Sequence, residues 1–111
     1  MILKIFRDGM FSRAINMERI TKIVVESYNG EDIKFIKLID GVERVAIITL
    51  PEETKDRLKD YALPNPNQKC DEAYRKLAEN IVSYWTSVIV HYVEVDISDK
   101  YSNGYSVKGV M

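Results

Sequence analysis

Residues 20–50 read I-T-K-I-V-V-E-S-Y-N-G-E-D-I-K-F-I-K-L-I-D-G-V-E-R-V-A-I-I-T-L. Asn29-Gly30 and Asp40-Gly41 cut this stretch into three β-rich runs of similar length. Asn-Gly and Asp-Gly between alternating apolar residues are the strongest short-range hairpin signals, because both residues tolerate the positive φ of a tight turn. The stretch therefore predicts a three-stranded antiparallel meander.

Two-residue turns at Asn29-Gly30 and Asp40-Gly41 would also fix the register. Ile23, Val25, Ile36, Leu38, Val45 and Ile47 then share one face. Ile20, Val24, Ile33, Phe35, Ile39, Val42, Ala46 and Ile48 share the other. A sheet with one wet face alternates apolar and polar residues, so this pattern predicts that both faces want cover. Lys22, Lys37 and Arg44 fall in one row on the richer face, beside Phe35 and Val24. Like charges directly opposite one another oppose pairing. Lys22, Lys37, Arg44 and Phe35 are thus candidate residues for an anion or single-stranded nucleic acid, since a basic sheet face with an aromatic suits that ligand. The structural alternative is that the long side chains turn to solvent or to Glu26 and Glu43.

Outward from the meander, residues 2–7 form a β-prone run ending at Asp8-Gly9. Residues 11–17 are ambiguous between strand and loop, and a hairpin through a type I′ Asp8-Gly9 turn would join the two runs. After Leu50 the period changes. Thr49 with Glu52 fits a capping box and Pro51 a first helical turn, which predicts a helix over about 50–62. Leu63-Pro64-Asn65-Pro66-Asn67 breaks the chain. Ala73, Leu77, Ile81 and Val88 then recur at helical spacing and predict the main core helix over about 71–88. A strand is expected from about 90. The segment 98–111 carries Asn103-Gly104 and reads either as a flexible tail or as a terminal hairpin. The fold class is α+β: an antiparallel meander with added N-terminal and C-terminal strands, packed against two helices, all in one domain spanning 1–111.

The 111 residues carry 16 basic and 17 acidic side chains, for a net charge of −1. That balance provides no general field for nucleic acid or an acidic membrane. One cysteine excludes an internal disulfide, and one histidine beside it is too little for a Cys/His zinc site. Cys70 and His91 flank a helix, which separates them as a nucleophile and base. The acidic pairs Glu52-Glu53 and Asp71-Glu72 sit where helix starts favour them. No catalytic residue, metal site or cofactor is expected. Apolar runs are too short for a membrane span, no signal-peptide pattern opens the chain, and a cytoplasmic location is expected. Tyr84, Trp85 and Tyr92 are candidate interface residues, because such aromatics are enriched where proteins meet.

In general type, a small charge-dense β-meander with helices and no motif, the chain is similar to orphan proteins of phages and mobile elements. The expected function is that of a small non-enzymatic interaction or structural protein. It would self-associate or bind a protein partner through a sheet face or edge. An anion-binding or nucleic-acid-binding module is the alternative, and a small enzyme whose site forms at an oligomer interface is the third reading.

Overall fold

The structure, a computed structural model, describes residues 1–27, 34–51 and 66–111. Its elements run β1 (Ile2–Arg7), β2 (Met10–Asn16), a 3-10 turn (Met17–Arg19), β3 (Lys22–Ser27), β4 (Lys34–Asp40), β5 (Glu43–Ile48), α1 (Pro66–Trp85), β6 (Tyr92–Ile97) and β7 (Tyr105–Val110). The class is α+β. The strands form two sheets, a terminal sheet in the order β2-β1-β6-β7 and a meander sheet in the order β3-β4-β5.

The β1–β2 hairpin forms as the Asp8-Gly9 pair dictates. Both residues adopt positive φ, at 52° and 78°, and Arg7 faces Met10 across the turn. The N-terminal and C-terminal strands expected beside the meander do not join it. They build their own sheet around a parallel β1–β6 pair, in register from Ile2–Tyr92 to Arg7–Ile97. A parallel pair needs a long crossover, and here everything from β2 to the end of α1 supplies it. β7 closes the far side as an antiparallel partner of β6, so the segment after Asn103-Gly104 is a strand. Leu3, Ile5, Ile15, Val93, Val95, Ile97 and Tyr105 all face inward and are buried.

The meander sheet has its three strands in the expected order, with a different register. β3 pairs with β4 from Lys22–Ile39 to Ser27–Lys34, two residues away from the pairing an Asn29-Gly30 turn would impose. That shift preserves which residues share a face. The second turn sits at Gly41-Val42, flanked by the Asp40–Glu43 pair. Gly41 has φ +62° and Val42 does not share the positive φ, the glycine-first pattern of a type II′ turn. Thr21 Oγ1 accepts the Gly41 N–H at 2.9 Å and braces the turn.

A β-bulge follows. Ile39 pairs with Arg44, but Leu38 pairs with Ala46, leaving Val45 as the extra residue. One extra residue turns the rest of β5 over. Ala46 and Ile48 therefore join Ile36 and Leu38 on the inner face, and these four side chains are buried. The outer face is therefore less apolar than expected, keeping Val24, Phe35 and Ile39 and gaining Ile47. Of the richer face, Ala46 and Ile48 belong inside, Ile20 enters the core, and Val42 is fully exposed in the turn. Ile33 lies outside the described residues.

Helix α1 begins at Pro66, inside the stretch expected to be a loop and ahead of the expected start at 71. Proline is tolerated in a first helical turn because it gives up an N–H that has no helical partner there. The helix ends at Trp85, short of 88. Thr86 Oγ1 donates to the carbonyls of Val82 or Ser83, both at 3.1 Å, and satisfies the last turn. The expected helix over 50–62 falls mostly outside the described residues; Leu50 and Pro51, which are described, are not helical.

Ala73, Tyr74, Leu77 and Ile81 form the buried stripe of α1. The helix packs against β3, β4 and β7 and so touches both sheets. Leu77 and Ile81 belong to the same apolar cluster as Leu3, Val93, Ile36 and Ile48. Tyr74 accepts the Leu50 N–H at 2.7 Å, which fixes the chain where it leaves β5.

Two stability predictions follow from this packing. A Cβ on Gly109 would lie 2.6 Å from Tyr84 Cε1, so Gly109→Ala should cost about 1–3 kcal/mol of unfolding free energy in urea titration. Burial pushes the Tyr105 hydroxyl above its ordinary pKa of 10.0, with hydrogen bonds to Asn80 and Asn103 pulling the other way. Above pH 10.0 the unfolded chain gives up this proton before the folded one does, so stability falls as pH rises through the folded value. Tyr105→Phe should remove that part of the alkaline loss in chemical denaturation at pH 9–11.

Candidate functional site

The outer face of the meander sheet carries Lys22, Val24 and Glu26 from β3, Phe35, Lys37 and Ile39 from β4, and Arg44 and Ile47 from β5. The three cations do not form the row expected from the sequence. Ile39 sits between Lys22 and Arg44, and Lys37 sits between Val24 and Ile47. Charged and apolar side chains therefore alternate like a checkerboard. The bulge and the two-residue shift produce this arrangement and relieve the like-charge opposition.

Lys37 Nζ reaches Glu26 Oε2 at 3.2 Å. That pair commits one of the three cations, while Lys22 and Arg44 are exposed and carry no ion pair among the described residues. Phe35 and Ile39 are half-buried, and Ile47 is exposed.

The two outer strands of this sheet are treated differently. β5 and the residue after it receive arginines from the terminal sheet: Arg13 Nη2 donates to the Val45 carbonyl at 2.9 Å. Arg7 donates to the Thr49 carbonyl and hydroxyl at 3.4 and 3.2 Å. Among the described residues, β3 has no strand on its outer side. Beside it lies a groove of about 400 Å³, lined by Ile23 and Val25 from β3 and by Arg75, Ala78, Glu79, Val82 and Ser83 from α1. Val25 and Val82 are exposed there. An unpaired strand edge is a template for another strand.

The terminal sheet presents a polar cleft of about 300 Å³ on its outer face, lined by Phe6, Gly9, Glu94, Asp96, Tyr101, Ser106 and Lys108. Its groups are largely engaged with one another. Asp96 accepts from the Gly9 N–H at 3.0 Å and from the Tyr101 hydroxyl at 2.9 Å, with Lys100 Nζ at 3.8 Å. Glu94 pairs with Lys108 at 3.3 Å. Ser98, itself buried, donates to Asp8 at 2.7 Å. This network pins the β1–β2 turn to the β6–β7 loop.

The aromatic candidates are not brought together on one surface. Tyr84 and Trp85 are half-buried and pack against the core, Tyr84 over Gly109. Tyr92 lies on the outer face of the terminal sheet, with Lys4 Nζ 4.0 Å from its ring centroid. His91 is exposed, and its N–H bonds the Val110 carbonyl at 2.9 Å. The Cys70 side chain lies outside the described residues. No group of three metal-ligating side chains occurs among the described residues, and no described helix is long and apolar enough to cross a membrane.

The open β3 edge and the Asp96 network were missed in the sequence. Lys22 and Glu26 at alternate positions of one strand were the available sign of the first. The second joins residues up to 90 positions apart, which no local pattern marks. No family model, curated protein or solved structure matches this chain.

Removing the Asp96 carboxylate takes an acceptor from Gly9 and Tyr101. Asp96→Ala should cost about 1–3 kcal/mol in urea denaturation. A loss below the error of the measurement would show that the network does not anchor the turn.

Proposed function

We propose that this protein is a small non-enzymatic interaction protein that self-associates through its meander sheet. The observation that carries the reading is the contrast between the two outer strands: β5 is held by Arg13 at its Val45 carbonyl and by Arg7 at Thr49 just past its end, whereas among the described residues β3 has no strand on its outer side and lies beside an apolar groove. The mixed outer face adds support. Phe35, Val24 and Ile39 lie among charged groups that keep the face soluble while offering apolar area to a partner. The polar cleft of the terminal sheet supports no reaction in this reading, because its carboxylates are spent on Gly9, Tyr101, Lys100 and Lys108.

Sedimentation velocity over a wide concentration series tests the reading. The expected result is a sedimentation coefficient that rises with concentration toward that of a dimer or larger oligomer. A strictly monomeric protein at the highest concentration would count against it. Salt-sensitive binding of a single-stranded oligonucleotide, abolished by Lys37→Glu, would put the anion-binding reading in its place.

A further inference from the structure

We infer that the partner of β3 is β3 of a second copy, paired antiparallel about a two-fold axis through Val24. The inference rests on the self-association reading and gives it a register. β3 begins Lys22-Ile23-Val24-Val25-Glu26. An antiparallel two-fold pairing centred on Val24 sets Val24 opposite its own copy. It sets Ile23 opposite the partner's Val25, and Lys22 opposite the partner's Glu26, twice over. Every row is then favourable: one β-branched pair at the axis, two apolar pairs on the inner face, two opposite-charge pairs on the outer face.

The inner-face rows fall on the side of the groove. Ile23 and Val25 line it, together with Ala78 and Val82 of α1. Pairing would bring the second copy's Ile23 and Val25 alongside this apolar lining and cover the exposed Val25. On the outer face, Lys22 carries no ion pair among the described residues, and the Glu26 carboxylate engages Lys37 through Oε2. Glu26 can therefore bridge Lys37 of its own chain and Lys22 of the other.

No other outer strand among the described residues has this property. β2 (M-F-S-R-A-I-N) has Arg13 as its only charge, and β7 (Y-S-V-K-G-V) has Lys108. Neither can pair opposite charges with its own copy. β5 holds both signs but is bulged, and Arg13 occupies its Val45 carbonyl. Joining two β3 strands would convert two three-stranded sheets into one continuous six-stranded sheet and remove both open edges.

Charge reversal tests the register. Lys22→Glu sets two Glu–Glu rows across the axis, and Glu26→Lys sets two Lys–Lys rows. Each variant alone should self-associate about ten-fold more weakly than the natural chain. In an equimolar mixture of the two, the heterodimer regains an opposite-charge pair in both rows. Sedimentation velocity of the mixture should recover association close to that of the unaltered protein. Thermal unfolding of each variant confirms that it is folded, and Lys22→Glu disturbs no ion pair within the described chain. Unaltered association of both single variants, or a mixture no better than either alone, would overturn the pairing while leaving self-association standing. An unaltered protein that never associates would remove both.

Discussion

Ala46 and Ile48 reach the core because β5 carries one residue more than β4 across the Leu38/Ile39 step. A strand's side chains alternate with a period of two, so a single inserted residue exchanges the faces of everything beyond it. Without Val45 in the bulge, Ile47 would take the inner position and Ala46 and Ile48 would face solvent. The bulge thus decides which apolar residues of β5 meet the helix, Ala46 and Ile48 in place of Val45 and Ile47, and α1 lies over the meander with Leu77 and Ile81 buried. It also places Ile47 beside Lys37 on the outer face. The Val45 carbonyl, in turn, accepts Arg13 from the terminal sheet. Core composition, surface character and the join between the sheets all pass through this one residue.

The two sheets manage their exposed strands by different means. The terminal sheet buries its central parallel pair and fastens its loops with Asp96, Ser98 and Asp8. In the meander sheet, arginines bond Val45 of β5 and the adjoining Thr49, and among the described residues no strand lies beyond β3. An exposed edge is costly for a soluble chain, because it invites unselected pairing. In the proposed pairing, Lys22, Val24 and Glu26 favour one self-complementary register. A polar row that accepts one alignment and opposes its neighbours is a recognised route to specificity.

Much of this architecture could be read locally. Asp8-Gly9 and Gly41 sit in tight turns, because positive φ selects the residues that tolerate it. The main helix announced itself through Ala73, Leu77 and Ile81. What could not be read was non-local or chemically silent. Val45 is a β-branched residue in a β-branched run, and nothing in its identity separates a bulge from a paired position. The β1–β6 pairing joins positions about 90 apart and depends on the core shared by both sheets. The cation row of Lys22, Lys37 and Arg44 was a product of the wrong register, and it dissolved with it. The self-complementary pattern is plain in K-I-V-V-E, but it acquires meaning only from the place of β3 at the edge of its sheet among the described residues.

Amide hydrogen exchange measured at low and high protein concentration tests the central claim most directly. Pairing through β3 predicts that the β3 amides facing the open edge become slower to exchange as concentration rises, while those of β2 and β7 stay unchanged. Exchange in β3 that is indifferent to concentration, or protection appearing on β2 or β7 instead, would contradict the account.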